Sequence, residues 1–216
     1  MTEYLFPPLP QPGLPVAGTT ALYPVRRIFC VGRNYVAHAT EMGGTVDREA
    51  PWFFLKAAMH LAPSGTVMPY PPGTADFHHE LELVVALGAD GQPFAYAIGL
   101  DMTRRDLQAQ SKELRRPWDT SKDFEGGAVI GALSRDFRPE AQVIRLTVNG
   151  AVRQEAPLTD MVWDVPGILS HLGRLYTLGA GDIIMTGTPA GVGAATRGDV
   201  LEGTVAGLDP VRLTIA

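Results

Sequence analysis

Cysteine is almost missing from this sequence. Cys30 is the only one in 216 residues, which excludes an intrachain disulfide and a metal site built on several thiolates. Basic residues are also in short supply. Eighteen Lys and Arg face 23 Asp and Glu, for a formal net charge of −5. A chain without a basic excess lacks the electrostatic footprint of a nucleic-acid binder. No apolar run approaches the roughly 20 residues that span a bilayer. The opening MTEYLFPPLPQPGLPVAG has no positive n-region and is broken by prolines, unlike a secretory signal. These absences fit a soluble cytoplasmic protein. Several catalytic signatures are missing too. There is no Gly-x-Ser-x-Gly elbow for a serine nucleophile. No Lys-Ser/Thr pair follows the glycine-rich stretch 187–193, as a phosphate loop requires, and no helix has histidines bracketing a glutamate.

What is present is a globular composition, 45% hydrophobic and 19% charged, with enough chain for one buried core. The 24 glycines and 18 prolines predict many short elements and few long helices. Prolines at 7, 8, 10, 12 and 15 predict an extended N-terminal arm over residues 1–25, lying on the body or on a partner subunit. A single domain follows over 26–216. Short apolar or β-branched runs predict strands at 28–32, 52–56, 81–87, 94–102, 183–186, 200–205 and 211–215. Residues 143–148 and 151–155 flank Asn149-Gly150, a strong hairpin signal. Asn34 is placed to cap a short helix over 35–42, and a polar helix is expected over 104–114. Asp164 before Pro166 starts an amphipathic helix whose apolar spacing runs to Tyr176, with Gly179 and Gly181 as its stop. Strands do not alternate regularly with helices, which argues for an α+β, mostly β fold rather than a doubly wound sheet.

Glu80 and Glu82 stand two apart at the start of an apolar strand, so both side chains point to one face. Two carboxylates in such a run repel each other and are costly to desolvate. A hard divalent cation such as Mg²⁺ is their natural partner, with Asp101 at the end of the next apolar strand as a third oxygen ligand. Spacing alone leaves open an edge strand with its polar face in water. His38 and Glu41 are three apart on the short helix and share a face. A carboxylate that orients an imidazole makes a general base for water. Spacing alone equally allows a surface pair. The backbone amides of Gly187–Gly193 could hold a carboxylate or an oxyanion, or merely make a tight connection.

Six motifs in order, GRNYVAHATEM (32–42), FFLK (53–56), HHELEL (78–83), GLDMTRRDLQ (99–108), SKDF (121–124) and TGTPAGVG (186–193), resemble the fumarylacetoacetate hydrolase family. The resemblance covers the chain from about residue 26 to its end and fits the single-domain branch. It implies a mixed β-sheet roll with short helices, usually homodimeric. It implies that Glu80, Glu82 and Asp101 hold Mg²⁺ or Mn²⁺, that His38 and Glu41 activate water, and that Lys122 stabilises a charged intermediate. Gln108 matches a glutamine that faces substrate, Thr188 lies in the loop that contacts it, and Arg33 and Arg105 match basic substrate-binding positions near the site. Two departures stand out. Ala57 follows FFLK where the family often has proline, and Arg104 replaces a small residue. The second change, with PYPPGTADFHHELEL and RRPWDTSKDF, resembles the members that hydrolyse 3-fumarylpyruvate in gentisate breakdown. The expected activity is therefore metal-dependent hydrolysis of a carbon–carbon bond in a 2,4-dioxo acid. Acylpyruvate hydrolysis and oxaloacetate decarboxylation are alternatives within the family. A non-catalytic binding protein is the alternative from another class.

Overall fold

A computed structural model describes residues 4–216. Its centre is a seven-stranded mixed sheet in the order Trp52–Lys56, Arg27–Gly32, Asp182–Met185, Leu81–Leu87, Pro93–Asp101, Ala128–Ile130, Leu61–Pro63. Two neighbouring pairs are parallel: Arg27–Gly32 with Asp182–Met185, and Ala128–Ile130 with Leu61–Pro63. A five-stranded sheet runs Ala151–Pro157, Val143–Val148, Val200–Val205, Val211–Ile215, Thr66–Met68. A small third sheet joins Thr103–Arg104, Phe77–His79 and Gly193–Ala194. The helices are short: Val36–Glu41, Arg105–Glu113, Asp119–Lys122 and Val165–Leu172. None of them is long and apolar enough to cross a membrane. This is the mostly β, mixed-sheet fold that the sequence implied.

The Leu81–Leu87 strand shows why the large sheet lies inside. It is buried along its whole length. Leu83 and Val85 point into a core shared with Ile144, Leu146, Leu201 and Leu213 of the five-stranded sheet, whereas Val84 and Ala86 point to the opposite face. That second face is covered by part of the proline-rich stretch. Gly13–Pro15 and Leu22–Pro24 pair as an antiparallel ribbon, and Leu14, Tyr23 and Val25 are buried against Ile28, Cys30 and Ile183. Residues 4–10 are exposed. The Tyr23 hydroxyl fixes the ribbon by donating to Leu87 O at 2.7 Å and accepting from Gly181 N at 2.7 Å.

Several local expectations need correction. Asn34 does not cap the Val36–Glu41 helix, whose N-cap is Tyr35 without a side-chain bond. Its buried amide donates to Trp163 O and Thr186 O and accepts from Trp163 N, tying three chain segments behind the helix. The helix begun at Asp164, which accepts from Gly167 N at 2.9 Å, ends at Leu172 rather than near Tyr176. Gly173 ends it, and Leu175 is exposed. Asn149 and Gly150 both adopt positive φ, +52° and +80°, as the hairpin turn requires.

Asp182 anchors the strand that leads to the glycine-rich loop. Its buried carboxylate accepts from Arg26, Arg27 and Gly179 N. Burial alone would push this carboxyl up, but the two guanidiniums and the amide override it and hold it below the usual aspartate range. Its contribution to stability is therefore present above the unfolded-state value of 3.8 and is lost as pH falls through the lower folded value. Asp182→Ala is expected to lower stability by about 1.5–3 kcal/mol, the range for hydrogen bonds to a charged group. Denaturant melts at neutral pH check this, and a loss under 0.5 kcal/mol, roughly that of an ordinary surface change, contradicts it.

Candidate active site

Glu80, Glu82 and Asp101 converge because two adjacent strands are in register. Glu82 pairs with Gly99, and Asp101 N donates to Glu80 O at 2.8 Å. Each residue offers an oxygen, and these atoms lie within 4.8 Å of one another. All three side chains are buried. The edge-strand alternative therefore falls: the carboxylates sit in the middle of the large sheet, away from its edges.

Three cations are built around this cluster. Lys122 Nζ donates to Glu80 Oε2 at 2.6 Å, Asp101 Oδ2 at 2.8 Å and Thr103 Oγ1 at 2.7 Å. Arg105 reaches Glu80 Oε1 at 2.5 Å, Gln108 Oε1 at 2.5 Å and His78 Nδ1 at 3.3 Å. Lys56 Nζ lies 2.8 Å from Asp101 Oδ1, an ion pair by distance without hydrogen-bond alignment, and donates to the carbonyls of Met102 and Lys122. The charges respond accordingly. Burial works against ionised Glu80, yet Lys122 and Arg105 hold its carboxyl far below the usual range. Burial also opposes the Lys122 charge, but Asp101 and Glu80 raise it above the ordinary lysine value.

Glu82 is the exception. Among the described residues no cationic side chain touches it, and its polar partner is Gly187 N at 2.8 Å. Burial and the neighbouring Asp101 and Glu80 push its carboxyl well above the usual range. An all-oxygen set with one carboxylate left uncompensated fits a hard divalent cation.

His38 is buried on the Val36–Glu41 helix, with Nδ1 3.5 Å from Glu41 Oε2. Glu41 is held in turn by Gly191 N, at 3.0 and 3.1 Å from its two carboxylate oxygens. Burial lowers the His38 value below 6.5, against the pull of Glu80 and Glu41. The glycine-rich loop thus uses its amides on the protein's own carboxylates, Glu82 through Gly187 and Glu41 through Gly191. Both glycines are at positive φ. A Cβ on Gly191 would fall 2.0 Å from Arg153 O, and one on Gly187 2.6 Å from Asn34 Cβ.

One pocket brings these groups together. His38, Glu80, Glu82, Lys122, Arg105, Gln108, Thr188 and Arg33 all line it, with Trp52, Phe54, Trp118 and Lys112. Asp101 lies behind them, and Glu41 reaches the pocket through His38. The neighbouring His78 and His79 are engaged elsewhere: His78 bonds Asp76, and His79 bonds Gln154.

Sequence reasoning missed Lys56, Gln154 and Lys112. Lys56 ends an apolar strand, which is a signal that it is buried. Gln154 is fully buried; its Oε1 accepts from Leu81 N, and its Nε2 donates to Thr188 Oγ1 and Pro189 O. It ties the acidic strand to the glycine loop. The two departures also have structural counterparts. Ala57 N donates to Asp123 Oδ1 at 2.8 Å, a bond proline lacks. The Arg104 guanidinium lies 4.4 Å from the Phe124 ring centroid and donates to Thr120 O, which steadies the short helix carrying Lys122.

Comparison with known proteins gives a consistent result. The family description "Fumarylacetoacetate (FAA) hydrolase C-terminal" matches residues 27–216. The chain is 40% identical to a fumarylpyruvate hydrolase of Ralstonia sp over 188 residues, 81% of this chain and 98% of that one. It is 38% identical to a mitochondrial oxaloacetate tautomerase of Homo sapiens over 196 residues, 85% of this chain and 88% of that protein. The crystal structure of fumarylpyruvate hydrolase from Pseudomonas aeruginosa in complex with Mn²⁺ and pyruvate superposes with a TM-score of 0.94, at 39% identity and 99% coverage of both chains.

Proposed function

The chain belongs to the fumarylacetoacetate hydrolase family and is an enzyme of its carbon–carbon hydrolase type; on that premise we propose that it hydrolyses 3-fumarylpyruvate to fumarate and pyruvate, as a step in gentisate breakdown. The observation that carries this reading is the opening of His38 onto the same pocket as the acidic cluster and Lys122. Hydrolysis needs a base for water there, whereas decarboxylation does not.

A divalent cation held by Glu80, Glu82 and Asp101 would supply Lewis acidity and a point of attachment for a 2-oxo carboxylate. His38 takes the proton from water. With Nδ1 turned to Glu41, Nε2 is the ring nitrogen free to accept it. The hydroxide attacks the carbonyl farther from the 2-oxo carboxylate. The carbon–carbon bond then breaks, its electron pair leaves as the enolate of pyruvate, and the enolate takes up the proton held by His38 to give pyruvate. Lys122 and Arg105 place positive charge where this electron pair develops. Lys122 already has three acceptors, so it acts through its charge or releases one of them to the enolate. Gln108 and Thr188 line the space the substrate fills.

Tautomerisation of oxaloacetate is a second reading, motivated by the 38% identical human relative. It moves a proton and adds no water. Reaction of 3-fumarylpyruvate, acetylpyruvate and oxaloacetate in ¹⁸O-water separates the two. The hydrolase reading expects one ¹⁸O in the carboxylate of released fumarate. Conversion of oxaloacetate alone, with fumarylpyruvate left intact, would overturn it.

A further inference from the structure

The site pocket contains more positive charge than its carboxylates use. Lys122 and Arg105 each spend their donors on neighbours, and Lys56 is buried behind Asp101. Arg33 and Lys112 also line the pocket, yet among the described residues neither has a carboxylate within salt-bridge distance. The fold nevertheless holds both in place. Arg33 adopts φ +53°, an uncommon conformation for a residue with a side chain. Its guanidinium packs over Gly44, where a Cβ would come within 2.8 Å of it. Lys112 places Nζ 5.1 Å from the Trp118 ring centroid. Trp118 meets Trp52 edge-on at 4.8 Å, and Trp52 lies against Gly32, the residue before Arg33. Two unpaired cations therefore share a pocket with flat aromatic walls.

We propose that Arg33 and Lys112 form an anion subsite that receives the distal carboxylate of a dicarboxylic oxo acid, and that Lys112 is a specificity-determining residue for the acyl tail. The inference rests on the hydrolase reading for the head of the substrate and adds the chemistry of its tail. A 2-oxo carboxylate belongs with the acidic cluster and its cation, which leaves the second carboxylate for the unpaired pair. The aromatic rings suit a planar, unsaturated chain between the two ends. The state of Lys112 agrees. Burial, with Arg105 and Arg33, brings its ammonium down to about 8, so it remains charged at neutral pH and gains from an incoming anion. Arg115 and Arg116, which follow the same helix, are exposed and do not line the pocket.

The test compares kcat/KM for 3-fumarylpyruvate, whose tail is charged, with that for acetylpyruvate, whose tail is neutral, in the metal-loaded protein. Lys112→Met is expected to lower the fumaryl-to-acetyl ratio by roughly tenfold or more, the size of one charge-assisted hydrogen bond. Arg33→Asn, which tolerates the left-handed backbone, is expected to lower it similarly. Arg115→Met and Arg116→Met are expected to leave it alone. An unchanged ratio in Lys112→Met and Arg33→Asn overturns the subsite even if the wild-type chain is a good hydrolase. Were the wild-type chain to leave both compounds uncleaved, the hydrolase reading would fall. The same ratio would then be read from calorimetric dissociation constants of the intact oxo acids. There, no preference for the charged tail, or one insensitive to Lys112→Met, overturns the subsite.

Discussion

Replacing Lys122 by alanine is expected to slow turnover of fumarylpyruvate by about 10²–10³-fold or more, the usual cost of removing a donor from a developing oxyanion. Its environment explains why the effect is large. The ammonium is fully buried between Glu80 and Asp101, and its charge is reinforced rather than weakened there. Removing it also leaves two buried carboxylates short of a partner, so stability should fall by about 3–5 kcal/mol. The two losses respond differently to metal. On the proposed function a divalent cation would bind the folded cluster, so added Mn²⁺ should recover much of the melting temperature while turnover stays low. Full recovery of both would reduce Lys122 to a structural counterion. Unchanged kcat in the metal-loaded variant, whatever its melting temperature, would remove it from the mechanism altogether.

The second large effect concerns His38. His38→Ala is expected to lower kcat by about 10²–10⁴-fold, the range for a positioned general base. The pH profile of the unmodified protein carries an independent mark of the same role. Burial depresses the imidazole below 6.5, so the free base dominates at neutral pH. The acid limb of kcat/KM is expected below pH 6.5, with rate rising through it and then levelling. Glu41 pulls the His38 value upward, so Glu41→Gln should move that limb to lower pH and reduce the plateau. A limb that stays in place in Glu41→Gln, or an acid limb well above 6.5, would separate this pair from the rate-limiting proton transfer.

Much of this site is legible in the amino-acid sequence because its pairings are local. Glu80 and Glu82 share a face because strand periodicity is two, and His38 and Glu41 share one because helical neighbours are three apart. The Asn149-Gly150 hairpin, the Asp164 cap and the mostly apolar 81–87 strand are likewise settled by nearest neighbours. What stays hidden depends on partners far along the chain. Leu61–Pro63 and Thr66–Met68 are three-residue strands defined by parallel pairing with Ala128–Ile130 and Val211–Ile215. Asn34 looks like a helix cap in sequence, but its amide reaches Trp163 and Thr186. Gln154 appears as one polar residue in a hairpin strand, although it bridges the acidic strand and the glycine loop. Lys112 looks like another solvated helix lysine because the pocket it faces is closed by Trp52 and Trp118 from elsewhere. The glycine loop reads as a set of amides, but their targets, Glu82 and Glu41, are internal rather than a ligand.

The most direct measurement is the rate at which the chelator-stripped protein consumes 3-fumarylpyruvate before and after Mn²⁺ or Mg²⁺ is returned. Negligible turnover is predicted without metal, with activity restored by either ion or both and equal amounts of fumarate and pyruvate released. Unimpaired hydrolysis by protein verified to be metal-free would contradict the role given to Glu80, Glu82 and Asp101.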